Sequence, residues 1–318
     1  MELTVTTSEN HHTALDDVKK QIETVIKGKS EVVDRLLICM LARGHVLLED
    51  VPGVGKTTLA RTLAATLGLQ FSRIQFTPDL LPHDLLGTNV LNPQDGSFSF
   101  HQGPVFTNLL LADEINRASP RTQSALLEAM NEQQVTIDGK TYPLAAPFMV
   151  IATENPVEFQ GTYPLPEAQL DRFMMRLSLG YPNAEEELTM LRERRIDDPL
   201  QHVRMVLPAR KLPLLQAHVA QVSVNEDVAK YMLRLVIRTR RESGVEIGGS
   251  PRASLALYRA AQARAFYNRR EYVSPADVQA LFADCMTHRI VLNSAARYGG
   301  VSVEQLIRTI SDEEPVPS

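Results

Sequence analysis

Gly53-Val54-Gly55-Lys56-Thr57-Thr58 packs two glycines, an ammonium and two hydroxyls into six consecutive residues. The glycines let backbone N–H groups come close to an anion, and a helix that starts here points further N–H groups at it. Lys56 brings a point charge to a β- or γ-phosphate, and Thr57 offers a hydroxyl to Mg²⁺. In the phosphate-loop pattern G-x-x-x-x-G-K-[ST], Asp50 takes the place of the first glycine. A second cluster, Asp113-Glu114, closes the apolar run Leu109–Ala112, 57 residues after Lys56 (113 − 56). That separation leaves room for a helix, a strand and an elaborated crossover. Asp113 can share the metal shell with Thr57, and Glu114 can orient or deprotonate an attacking water. Asn155 follows the apolar run Phe148–Ala152 and can hold the same water; by residue type alone it is a turn residue before Pro156. Arg172 and Arg176 read, on their own, as surface cations or salt-bridge partners. Arg252 falls in a first helical turn beside Pro251, where a guanidinium and a helix N-terminus both favour anions.

These residues need strands that end together and helices that start where the strands stop. His45–Leu48 reads as a buried strand and Leu59–Leu67 as a helix stopped by Gly68. Phe71–Phe76 alternates as a second strand. Leu109–Ala112, Phe148–Thr153 and Met174–Gly180 supply three more. Helices alternate with them, which predicts an α/β fold with a five-stranded parallel sheet covered on both faces. Ahead of the first strand, Leu15, Val18, Ile22 and Val25 recur at helical spacing, and Ser30 is expected to cap a second helix through Leu41. The Val25-Ile26-Lys27-Gly28 corner between them is apolar and placed to wall an adenine. Thr77–Gly87 is too rich in Pro and Gly for one long helix, and Phe98-Ser99-Phe100 with the turn-rich Asn92–Gly96 suggests a small insertion, a hairpin on a helix. Val135–Tyr142 alternates around Asp138-Gly139, a hairpin signal. Pro182-Asn183 marks a boundary, with Asn183 and Glu186 forming a capping box. Beyond it, strand signals vanish and Asn225, Ser250-Pro251 and Ser274-Pro275 each start a helix. The expected division is a loose arm over 1–11, an α/β domain over 12–182, a helical domain over 183–310 and a disordered acidic tail over 311–318.

Composition narrows the partners. The chain has 318 residues, 44% hydrophobic and 22% charged, which is ordinary for a globular protein of two domains. A net charge of −5 gives no general reason to bind nucleic acid or an anionic membrane. No run approaches the ~18 apolar residues of a membrane span. No secretory h-region follows Met1, so the cytoplasm is the expected compartment. The two cysteines, Cys39 and Cys285, sit in apolar helical contexts and read as reduced core residues.

The clusters together resemble an AAA+ ATPase, and more narrowly the MoxR family. The resemblance rests on Leu48-Glu49-Asp50-Val51-Pro52-Gly53-Val54-Gly55-Lys56-Thr57, Gln75-Phe76-Thr77-Pro78-Asp79-Leu80-Leu81-Pro82, Leu111-Ala112-Asp113-Glu114-Ile115-Asn116-Arg117-Ala118 and Ala152-Thr153-Glu154-Asn155-Pro156. Leu165-Pro166-Glu167-Ala168-Gln169-Leu170-Asp171-Arg172-Phe173 and Ser250-Pro251-Arg252-Ala253 complete it, in the family's order. The resemblance implies a P-loop NTPase sheet followed by an all-α lid, with Mg-ATP as ligand. It implies Walker A roles for Lys56 and Thr57, Walker B roles for Asp113 and Glu114, sensor 1 for Asn155 and sensor 2 for Arg252. Arg172 would be the arginine finger offered to a neighbour's nucleotide, with Arg176 the weaker candidate. A finger acting on a neighbour implies a ring, a hexamer in the family. The insert near 79–103 and the Asp138-Gly139 hairpin match the helix-2 insert and the pre-sensor-1 hairpin, which face the pore of related rings. MoxR-like ATPases act as chaperones in the assembly or metal-cofactor maturation of protein complexes, with von Willebrand factor A domain partners. Relatives with the same inserts include nucleic-acid motors and metal-chelatase motor subunits, which stand as the alternatives.

Overall fold

Buried strands read as continuous apolar runs because both faces of the sheet are covered. The computed structural model describes residues 2–155, 161–193, 195 and 197–317. Its main sheet has five strands: β1 (Val46–Glu49), β2 (Phe71–Gln75), β3 (Leu109–Asp113), β4 (Met149–Glu154) and β5 (Met175–Leu177). They pair in the order β2-β3-β4-β1-β5, all parallel. Alternate residues feed two cores. Val46, Leu48, Leu109, Leu111 and Ile151 join one, and Leu47, Leu110, Ala112, Val150 and Ala152 the other. The helix after the phosphate loop runs Lys56–Thr66 and packs on the first face. The helix Pro120–Glu132, capped by Ser119 Oγ accepting from the Thr122 N–H, covers the second.

Both inserts form. A short helix, Pro82–Leu86, leads into the hairpin Gly87–Leu91/Phe98–Gln102. The second hairpin pairs Gln134–Ile137 with Lys140–Pro143 around Asp138 (φ 49°) and Gly139 (φ 77°), the two left-handed residues that a tight hairpin turn requires. The two hairpins meet: Phe100 stacks on Tyr142 at 4.2 Å, and Asn89 Nδ2 donates to Asp138 Oδ2 at 2.6 Å.

From Asn183 onward the described residues are mainly helical, with a small antiparallel ribbon of Val245–Ile247 with Val291–Leu292 and an isolated bridge between Ser223 and Tyr272. The Asn183–Glu186 box is reciprocal, with both bonds at 2.9 Å. Asn225 and Ser250 cap as expected. Ser30, in contrast, is the first helical residue rather than a cap; Lys29 holds the capping position without a side-chain bond.

Two end segments differ from expectation. Residues 2–11, expected as a loose arm, continue the first helix, Glu2–Glu23, which no Gly or Pro interrupts. Residues 311–317 are not free either. The last helix, Val303–Glu313, runs into them, Glu313 pairs with Arg238, and Glu314 pairs with Arg234 at 2.6 Å. Acidic residues read as solvated in sequence find arginines on the helix Glu226–Thr239.

Two acidic groups organise the end of the sheet that carries the phosphate loop. Asp50 is 5% exposed. Its carboxylate accepts from Ser178 Oγ at 2.7 Å and from the N–H groups of Leu179 at 2.7 Å and Gly180 at 2.9 Å. Its N–H donates to the Glu154 carbonyl, and its own carbonyl accepts from Lys56 Nζ at 2.8 Å. Asp50 therefore ties the start of the loop to the end of β5, which a glycine could not do. Beside it, register sets Glu49 opposite Glu154. Arg176 bonds Glu49 at 2.7 Å and Glu304 at 2.9 Å, bridging the sheet to the last helix. Burial, then the charge of Glu49, raises the Glu154 pKa from 4.5 to about 7, against the pull of Arg176.

Asp50→Gly restores the loop consensus yet is expected to lose about 3 kcal/mol of stability, because two backbone donors lose a charged acceptor. Urea unfolding checks this, and an unchanged midpoint would remove the anchoring role. Glu154 binds its proton more tightly folded than unfolded. Its contribution is whole below about pH 4.5 and is lost as pH rises through about 7. Glu154→Gln is expected to flatten the fall in stability between these limits, by at most about 3 kcal/mol. Denaturant curves at pH 5 and pH 8 measure it; equal slopes in both proteins would refute it.

Candidate active site

In a parallel sheet the loops after β1, β3 and β4 leave from one end, so sequence-distant residues meet there. Gly53 (φ 87°) and Gly55 (φ 95°) are both left-handed, and a Cβ at either would meet nothing within 4 Å. The glycines serve the backbone turn and leave open space above it. Lys56 and Thr57 start the helix behind them. Pro52, Gly53, Gly55, Lys56, Thr57, Arg73, Gln75, Asp113, Glu114 and Asn155 surround a cleft of about 310 Å³. Burial lowers the Lys56 pKa, and the nearby carboxylates of Asp50, Asp113 and Glu114 oppose that shift.

A hydroxyl that sequence reasoning passed over organises the carboxylate pair. Thr153 Oγ1 donates to Asp113 Oδ1 at 2.7 Å and accepts from the Glu114 N–H at 2.8 Å. Thr153 is fully buried at the end of β4, and its polar type inside an apolar run was the available signal. Glu114 itself has φ 54°, a strained value for a side-chain-bearing residue, held by that bond. Its carboxylate accepts from Arg117 Nη1 at 3.0 Å. Asn155 is 6% exposed and faces the cleft from the end of β4. Pro156, which closes that phrase, lies outside the described residues. Arg73 is the other residue missed. It sits in β2 and bonds Asp113.

The donor set suits Mg²⁺. Hard oxygens from Thr57, Asp113 and Glu114 line an open cradle, and among the described residues no group of three or more His, Cys, Asp or Glu forms a cage. A magnesium ion is commonly held in this way, by one or two protein oxygens together with phosphates.

Val25 and Ile26 are 5% and 8% exposed and belong to the first core, against which Val54 also packs. They lie outside the lining of the phosphate cleft. Arg252 is outside it too. Arg172 precedes β5, and Met175 is in register with Val46 at the start of β1. Arg172 thus lies at the opposite end of the sheet from Gly53, across a strand roughly 13 Å long. Ser250 Oγ donates to Asp171 Oδ2 at 2.7 Å, which sets Arg252 beside Arg172. Both line a second cleft of about 590 Å³ together with Arg43 and Arg259. Burial, then the charge of Arg252, lowers the Arg172 pKa. Arg172 Nη1 donates to the Leu127 carbonyl at 2.6 Å. Asp171 is held by the buried Arg289 at 2.7 Å. Arg176 faces the other way, engaged with Glu49 and Glu304.

Comparison with known proteins bears on the fold and the family. The family described as ATPase family associated with various cellular activities (AAA) matches residues 45–175, and an AAA lid domain matches residues 237–310. The uncharacterised protein YeaC of Bacillus subtilis is 46% identical over 97% of this chain and 97% of its own. Chaperone MoxR1 of Mycobacterium tuberculosis is 42% identical over 93% of this chain and 81% of its own. Protein MoxR of Paracoccus denitrificans is 33% identical over 89% and 90%. A crystal structure of a candidate ATPase from Cytophaga hutchinsonii superposes with a TM-score of 0.92 at 42% identity, covering 100% of both chains. With one parallel sheet, one helical lid and relatives of this identity over nearly its whole length, the chain belongs to the MoxR family of AAA+ ATPases.

Proposed function

We propose that the protein binds and hydrolyses Mg-ATP at an interface between subunits of a ring, and uses the cycle as a chaperone for protein complexes. One observation carries this reading: the phosphate cleft and the arginine cleft occupy opposite ends of one sheet. A single chain holds both halves but cannot close one on the other. A head-to-tail ring, a hexamer by family analogy, would bring them together at every interface.

In that arrangement Lys56 and the N–H groups of residues 53–57 bind the β- and γ-phosphates. Thr57 and Asp113 hold the metal, which when bound neutralises phosphate charge. Glu114, oriented through Thr153, takes the proton of the attacking water, and Asn155 fixes that water's position. Arg172 of the neighbour meets the charge that develops on the γ-phosphate. Arg252, tied to Arg172 through Asp171 and Ser250, acts from the same neighbour rather than from the nucleotide's own subunit. Val25 and Ile26 remain the candidate wall for the adenine.

The joined hairpins, with Phe98 70% exposed at their edge, supply a surface for a protein client. The relative named as a chaperone supports that class of partner, and a von Willebrand factor A domain protein is the family-level expectation.

Complementation tests the shared site. Arg172→Ala and Arg252→Ala should each bind nucleotide but lose turnover, by a factor on the order of 10³ for Arg172. Mixing either with Glu114→Gln should restore activity, because about one interface in four then pairs an intact site with intact arginines. Failure of the Arg252→Ala mixture to recover would put Arg252 back on its own nucleotide. Partner class is tested with Glu114→Gln held in ATP. Stable capture of a von Willebrand-domain protein is expected, whereas DNA-stimulated turnover in the parent would favour a nucleic-acid motor.

A further inference from the structure

Arg73 stands on β2, one of the two edge strands of the sheet. A cation on an edge strand ordinarily faces water and discourages strand pairing. Here the side chain is 44% exposed, yet its guanidinium is held against a carboxylate of the next strand. Register sets Gln75 opposite Asp113 and Arg73 opposite Leu111, so Arg73 and Gln75 share one face, a pleat apart. The guanidinium reaches along that face to a single oxygen. Nη2 donates to Asp113 Oδ2 at 2.6 Å and Nε to the same atom at 3.1 Å, while Nη2 also meets Gln75 Oε1 at 3.3 Å.

A carboxylate oxygen has two lone-pair directions. Two N–H groups occupy those of Oδ2, and Thr153 takes one on Oδ1. The Asp113 side chain is 13% exposed and that of Arg73 44%, so the carboxylate is sheltered while the guanidinium stays within reach of water and can be displaced into it. Asp113 is the proposed metal-side carboxylate. A divalent cation and a guanidinium cannot share Oδ2, because they compete for the same lone pairs and repel each other.

We propose that Arg73 is the resident counter-ion of Asp113 and that Mg²⁺ enters this site by displacing it. Arg73 thereby sets how much Mg²⁺ nucleotide binding requires. It keeps the buried carboxylate paired when the cleft is empty and raises the metal concentration at which the site fills. It is a positioning residue, acting through Asp113. The inference rests on the nucleotide-site reading above.

The test is a MgCl₂ titration of fluorescent ADP-analogue binding to the full-length protein, with far-UV circular dichroism confirming that each variant is folded. Arg73→Met should lower the half-saturating Mg²⁺ concentration about tenfold, and Arg73→Lys, which cannot place two N–H groups on one oxygen, about threefold. In an Asp113→Asn background, Arg73→Met should change nothing further. An unchanged or higher Mg²⁺ requirement in Arg73→Met, or the same shift with Asp113→Asn present, overturns the inference while leaving the nucleotide site standing. A parent protein that binds no nucleotide at any Mg²⁺ concentration overturns both. If Arg73→Met does not fold, the direction of the Arg73→Lys shift decides.

Discussion

Parallel strands send all their C-terminal ends to one edge of a sheet, and everything functional in this chain follows from that constraint. The loops after β1, β3 and β4 bring Lys56, Asp113, Glu114 and Asn155 around one cleft. The same constraint puts whatever precedes a strand at the far edge. Arg172 precedes β5, and the bond from Ser250 to Asp171 carries Arg252 there with it. A phosphate cleft at one edge and an arginine cleft at the other make a subunit that is asymmetric end to end, the geometry on which a head-to-tail assembly is built.

The site is held by polar groups, most of them buried, that satisfy one another. Thr153 links Asp113 to the Glu114 backbone, and Arg73 takes the remaining oxygen of Asp113. Asp50 receives three donors from the segment after β5. Each of these groups would be costly if left unpaired, so each fixes its neighbour's position firmly. The left-handed backbone at Glu114 persists inside this network, aimed at the cleft. The Asp50 anchor also explains a departure from the loop consensus. A glycine would serve the turn but leave the Leu179 and Gly180 N–H groups without that acceptor.

Much of this was legible in the sequence, for local reasons. Apolar runs of strand length, separated by helical spacing, announce a covered parallel sheet. Ser119-Pro120, Asn183 with Glu186, Asn225 and Ser250-Pro251 mark helix starts because caps are short-range chemistry. Asp138-Gly139 marks a hairpin because few residue pairs accept two left-handed conformations. Arg73 and Thr153 were not singled out. Their partner lies about 40 residues away along the chain, and an arginine in an alternating strand looks like a solvated edge charge. The acidic tail misled for a similar reason, since its arginines lie 75 to 80 residues earlier.

The sequence by itself determined the strands and helices of the sheet domain, the loop that could cradle phosphate, the carboxylate pair after an apolar strand and the family they belong to. Those depend on residue type and spacing within a few turns. Only the tertiary structure decided which end of the sheet each residue occupies. It parted Arg252 from Lys56, assigned Arg176 to a bridge between the sheet and the last helix, and gave Asp50 and Arg73 their partners. The physical reason is that strand order and register are collective properties, set when two apolar faces are buried at once, and no single stretch of residues encodes them.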